Sequence, residues 1–156
     1  MNLKPRTAHL RRLPLRAVTG AFILNSGIGK LSLDADSAAG MQGMAANALP
    51  SVTKFSPGTF GKLLAGTEIA LGAALLTPLV PTAVVGAGLV AFSSGLLTMY
   101  ARTPGMHEPG SPRPTQQGTA IAKDSWMLGI GTALLIDAAT DRGCCSRGTD
   151  AADTDE

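Results

Sequence analysis

From Leu63 to Tyr100 the sequence runs 38 residues with Glu68 as its one ionisable group of consequence. A single α-helix of that length would extend about 57 Å, nearly twice the hydrocarbon thickness of a bilayer. The segment must therefore fold back. Thr77-Pro78-Leu79-Val80-Pro81-Thr82 is the place, because each proline lacks an N–H and restricts the residue before it. Composition agrees with a membrane hairpin rather than a water-soluble core. Charged residues are 15% of the 156-residue chain, where about 25% is usual.

The remaining pattern extends the hairpin to an all-α, integral membrane four-helix bundle, with spans at about 15–33, 60–76, 82–100 and 121–139. Residues 1–14 read as a basic cytoplasmic leader. Arg16, Asn25 and Lys30 interrupt the first apolar run, which argues for a retained helix over a cleaved signal peptide. Between the first two spans, Ala38–Leu49 reads as a short interfacial helix with Met41 and Met44 on one side, ended by Pro50 and Ser56-Pro57-Gly58. Residues 101–120 read as an irregular Pro- and Gly-rich loop, and 140–156 as a disordered acidic tail. The last span is the shortest apolar stretch, since only Ser125–Ile136 is free of charge, but a fourth helix closes a bundle that three would leave open.

Five basic residues, Lys4, Arg6, Arg11, Arg12 and Arg16, lie at or before the start of the first span, which places both termini on the cytoplasmic side of a bacterial cell membrane. A net charge of +2 gives no nucleic-acid footprint. His9 and His107 stand alone, so no metal site is expected. Cys144 and Cys145 are adjacent and make a stable structural disulfide improbable; they read either as reduced bystander thiols or as a redox or metal-handling pair.

Charges inside a bilayer need a reason. In the expected topology Lys30, Glu68, Arg102, Lys123 and Asp124 converge near one level at the outer side, with Asn25 adding a polar group to the first span. A lysine stem is long enough to bring Lys30 to Glu68 across antiparallel neighbours. Such a pair either fixes helix register or belongs to a site for a ligand, a proton or a quinone. Gly20 and Gly27, Ala65 and Gly72, and Gly88 and Gly95 align small residues on single faces for close helix approach. No phosphate loop, catalytic triad or paired acid–base carboxylates is present in the sequence.

Three stretches carry a family resemblance: Arg16-x3-Gly20-Ala-Phe-Ile-Leu-Asn-Ser-Gly27-x2-Lys30-Leu31; Glu68-Ile-Ala-Leu-Gly72-x2-Leu75-Leu76-x-Pro78; and Arg102-Thr-Pro-Gly105 followed by Lys123-Asp124-x-Trp126-x2-Gly129. In their order and spacing they resemble the DoxX-like family of small four-helix bacterial membrane proteins, over roughly residues 15–139. The resemblance implies a redox-associated membrane subunit or anchor of a quinone-linked oxidoreductase complex, or one assembling with a sulfurtransferase and a superoxide dismutase in thiol and oxidative-stress defence. It implies no catalysis by the chain alone, and Arg16, Lys30 and Glu68 are its matching charged positions. The alternative is a stand-alone small transporter or membrane scaffold with no redox role.

Overall fold

Asp34, Ser56 and Pro81 mark where three of the helices begin. The Asp34 carboxylate accepts from the Ser37 amide (2.7 Å) and the Ser37 hydroxyl (3.0 Å), and the Ser56 hydroxyl accepts from the Thr59 amide (3.3 Å), each satisfying a donor that a helix start leaves free. Pro57 follows Ser56 at the first helical position, where its missing N–H costs nothing. The computed structural model describes residues 5–146. The order is α1 (Pro5–Lys30), α2 (Ala35–Ala48), a 3₁₀ turn (Pro50–Lys54), α3 (Pro57–Leu76), α4 (Thr82–Arg102), α5 (Thr119–Ala122) and α6 (Ser125–Ser146). The expected all-α class holds among the described residues, which carry no strand beyond an isolated bridge between His107 and Pro114.

Several boundaries differ from the sequence reading. The leader is helical from Pro5, with Pro14 inside α1; ahead of the apolar run, Arg11 and Arg12 are held by carboxylates of α6. The first helix ends at Lys30 rather than near residue 33, since Asp34 caps the next one. Ser56-Pro57 starts α3 instead of merely ending α2. Residues 101–120 are less irregular than expected. The Glu108 amide donates to the Arg113 carbonyl (2.9 Å), and the Tyr100 hydroxyl donates to the Pro112 carbonyl (2.9 Å). Gly110, at φ +73°, makes the turn that permits this. Helix α6 continues to Ser146, past the expected end of the last span at about residue 139; residues 147–156 of the expected tail lie outside the described residues.

The four long helices pack as two antiparallel pairs, α1 with α3 and α4 with α6. Glycine sets both seams. A Cβ on Gly72 would stand 2.6 Å from the Leu24 nitrogen, and one on Gly27 would stand 2.8 Å from the Ile69 nitrogen, so α1 and α3 are in backbone contact. Gly86 and Gly131 perform the same task for α4 and α6. Of the glycines singled out in α4, Gly88 faces Leu71 and Gly95 faces open space. Ile23, Leu75, Val85, Leu89, Met127 and Leu134 form the core that joins the pairs.

Helices α3 and α4, of 20 and 21 residues, are long and apolar enough to cross a membrane; α1 and α6, of 26 and 22 residues, are long enough but less apolar. Only 33% of the apolar window of α3 and 22% of that of α4 is buried within the protein. Val18, Phe22, Leu63, Val84 and Ile136 are among the large side chains left exposed.

Gly72→Ala is expected to destabilise by about 1–3 kcal/mol through overpacking, whereas Gly66→Ala, on an open face of α3, should be neutral or stabilising by up to about 1 kcal/mol; unfolding in mild detergent measures both. The Ser37 amide holds the Asp34 carboxyl below the usual carboxylate range. Its capping contribution is therefore present above the unfolded value of about 3.9 and is lost as pH falls through the lower folded value. Protection of the Ser37 amide against hydrogen exchange should fall below about pH 4 in the native chain and stay flat in Asp34→Asn.

Candidate functional site

At the Lys30 end of the bundle the two helix pairs diverge around a cavity of about 550 Å³. Its walls are mainly apolar, with Phe22, Leu64, Phe92 and Met127 contributed by α1, α3, α4 and α6. Helix α2 roofs it with Met41 and Met44, the two methionines whose three-residue spacing placed them on one side. The roof is tied down by polar contacts at its back. Buried Gln42 donates from Nε2 to the carbonyls of Val52 (2.9 Å) and Phe55 (2.8 Å), and Asn47 donates to the Thr103 hydroxyl (3.1 Å). Ala38 is buried beside Gly61, where α2 packs on α3.

One charged pair enters this apolar space. Lys30 Nζ donates to Glu68 Oε2 at 2.8 Å and to Ser26 Oγ at 2.7 Å. The Glu68 side chain is 7% exposed and that of Lys30 18%. Glu68 lies about eleven residues into α3, roughly 16 Å along its axis. At that depth a lone carboxylate would be expensive, and the pair together with the Ser26 hydroxyl answers the cost.

The candidate residues do not all meet. Lys30, Glu68, Lys123 and Asp124 line the cavity. Lys123 and Asp124 form the turn between α5 and α6, with the Lys123 ammonium 5.6 Å from the centre of the Phe22 ring, a cation–π distance. Arg102 instead lies on the exposed side of α4 and donates to the Ala48 carbonyl at 3.2 Å, so it fastens the end of α2 from outside. Asn25 is exposed on the outward face of α1 and takes no part. Both depart from the expected cluster for the same reason: helix phase, rather than depth along the axis, decides which side chains share a space.

Sequence reasoning missed the polar network at the other end. Arg12 donates to Asp137 and Asp141, and Arg11 reaches the same two carboxylates. The acids lie four apart on α6 and so on one face, a spacing visible in the sequence once α6 is extended past residue 139. Ser26, four residues before Lys30 on the same helix face, was equally legible and equally overlooked.

Arg16 is buried and uses all of its donors. Nε binds the Leu75 carbonyl (2.9 Å), Nη1 binds the Val80 carbonyl (3.1 Å) and the Thr82 hydroxyl (3.5 Å), and Nη2 binds the carbonyls of Ala74 (3.1 Å) and Thr77 (2.7 Å). A guanidinium carries five N–H groups, so one side chain holds the end of α3, the proline turn and the start of α4. Cys144 and Cys145 fall within α6, beyond the side chains the structure describes. Among the described residues no three His, Cys, Asp or Glu side chains gather to hold a metal ion.

No family model, curated protein or solved structure matches this chain. The site therefore stands on its own geometry: a mainly apolar chamber at one end of a helical bundle, with one buried ion pair and a second charged couple in its wall.

Removing one partner of the Lys30–Glu68 pair leaves the other charge stranded. Glu68→Leu is expected to cost about 3 kcal/mol, and the double variant Lys30→Met/Glu68→Leu should recover most of it. A double-mutant cycle measured by unfolding in detergent reads the coupling; additive effects would show that the two charges act independently.

Proposed function

We propose that the chain is a multi-pass membrane protein of the DoxX-like kind, in which α1, α3, α4 and α6 cross the bilayer and the cavity receives a small lipid-soluble ligand of the quinone class. In this reading it serves as a redox-associated membrane subunit or anchor, and turnover belongs to a partner such as an oxidoreductase, a sulfurtransferase or a superoxide dismutase. The observation that carries the reading is the chamber of about 550 Å³ whose apolar walls enclose the Lys30–Glu68 pair. Apolar walls with a few convergent polar groups suit a ligand with a hydrocarbon body and a polar head.

The crossing of α1 and α6, which composition alone leaves open, is supported by the way their charges are met. Arg16 faces backbone carbonyls, Arg11 and Arg12 face Asp137 and Asp141, and Lys30 faces Glu68. Such charges are tolerated at membrane depth because they are satisfied within the bundle. The apolar side chains left outside the protein then face lipid rather than water. The N-terminal basic residues orient both ends of the chain to the cytoplasm.

Purification from the native membrane in mild detergent, followed by mass spectrometry, tests this. A quinone and a redox partner should co-elute with the native chain. Gly95 lines the cavity with nothing within 4 Å of its missing side chain, so Gly95→Leu should fill the space and lower bound quinone at least about tenfold while the protein stays in the membrane. Recovery with lipid alone would contradict the redox reading and favour a stand-alone transporter or scaffold.

A further inference from the structure

At the opposite end of the bundle, a second hollow of about 650 Å³ opens between α1, the end of α3 and the start of α4. Leu10, Leu13, Leu76 and Pro78 make its wall apolar, while Arg12, Arg16 and Thr82 supply its polar atoms. The charges around it do not balance. Arg11 and Arg12 are matched by Asp137 and Asp141, but among the described residues Arg16 meets only neutral oxygens. Arg16 is fully hydrogen-bonded but has no carboxylate partner, so one net positive charge remains beside a half-enclosed apolar hollow.

We propose that this groove binds an anionic phospholipid of the surrounding bilayer, with the phosphate beside Arg12 and Arg16 and the acyl chains along the leucine wall. This rests on the chain crossing the membrane, but not on the quinone cavity. The donors are in place. Among the described residues Nη1 of Arg12 has no hydrogen-bond partner, and the Thr82 hydroxyl, which accepts from Arg16, retains its own proton to donate. Thr82 is also the first residue of α4, so the positive end of a 21-residue helix dipole points at the same place. Arg12 and Arg16 lie four apart on α1, one turn from each other. A single negative headgroup neutralises the Arg16 excess, and a basic hollow at the membrane edge, flanked by apolar wall, is the arrangement that selects acidic over zwitterionic lipid.

The test uses the purified full chain in detergent with added phosphatidylglycerol, phosphatidylcholine or inorganic phosphate, read by native mass spectrometry and by thermal unfolding. Phosphatidylglycerol should be retained over phosphatidylcholine by at least about fivefold, the worth of one arginine near an anionic surface. Leu13→Glu places a carboxylate at the groove mouth without removing an existing ion pair, and should abolish the preference. Leu13→Gln, equally polar but neutral, should keep it. Equal retention of both lipids, stabilisation by inorganic phosphate alone, or an unchanged preference in Leu13→Glu would each overturn the lipid site while leaving the membrane reading intact. Release of the native chain from membranes by alkaline carbonate would overturn both.

Discussion

The contact between α1 and α3 sets the position of almost everything else. Gly27 and Gly72 let the two backbones touch, and a backbone contact admits little sliding, since a shift of one residue would bring a side chain against the neighbouring main chain. That fixed antiparallel register has a consequence at each end. Lys30 arrives beside Glu68, and Arg16 arrives where α3 runs out of hydrogen-bond partners for its last carbonyls. Arg16 and Lys30 are therefore both answered by α3 through one packing decision.

The second helix pair repeats the principle with Gly86 and Gly131, and the two pairs meet less intimately than their members do. Large side chains such as Leu75, Leu89 and Leu134 join them near the Arg16 end, where Arg11 and Arg12 also pin α1 to α6. At the other end the joining side chains give way to the chamber, with α2 across its top. A bundle whose helix pairs are pinned together at one end can part around a ligand at the other without sacrificing the packing that keeps it folded. This division between a pinned end and an open end underlies the proposed role as a ligand-holding membrane subunit.

Much of the helical order was legible in the sequence because apolar runs and prolines punctuate it strongly. The turn at Thr77–Pro81 and the extents of α3 and α4 needed little more than residue type. The Lys30–Glu68 meeting could be reached from depth and stem length. Depth could not say which way Arg102 and Asn25 point, because that depends on helix phase against neighbours the sequence does not rank. The helical leader and the length of α6 escaped for a related reason. Both are polar by composition, and they meet through the Arg11, Arg12, Asp137 and Asp141 contacts across more than a hundred residues of chain. The cavity itself has no sequence signature, since it arises from how four helices and the α2 roof leave space between them.

The central claim is that the two ends of this bundle stand on opposite sides of a membrane. Single cysteines at Ser32, between α1 and α2, and at Leu79, in the turn between α3 and α4, introduced with Cys144 and Cys145 replaced by serine, can be labelled in sealed vesicles with a membrane-impermeant maleimide. The account predicts that the two positions react from opposite faces, Leu79→Cys from the cytoplasmic one. Labelling of both from the same face would contradict it.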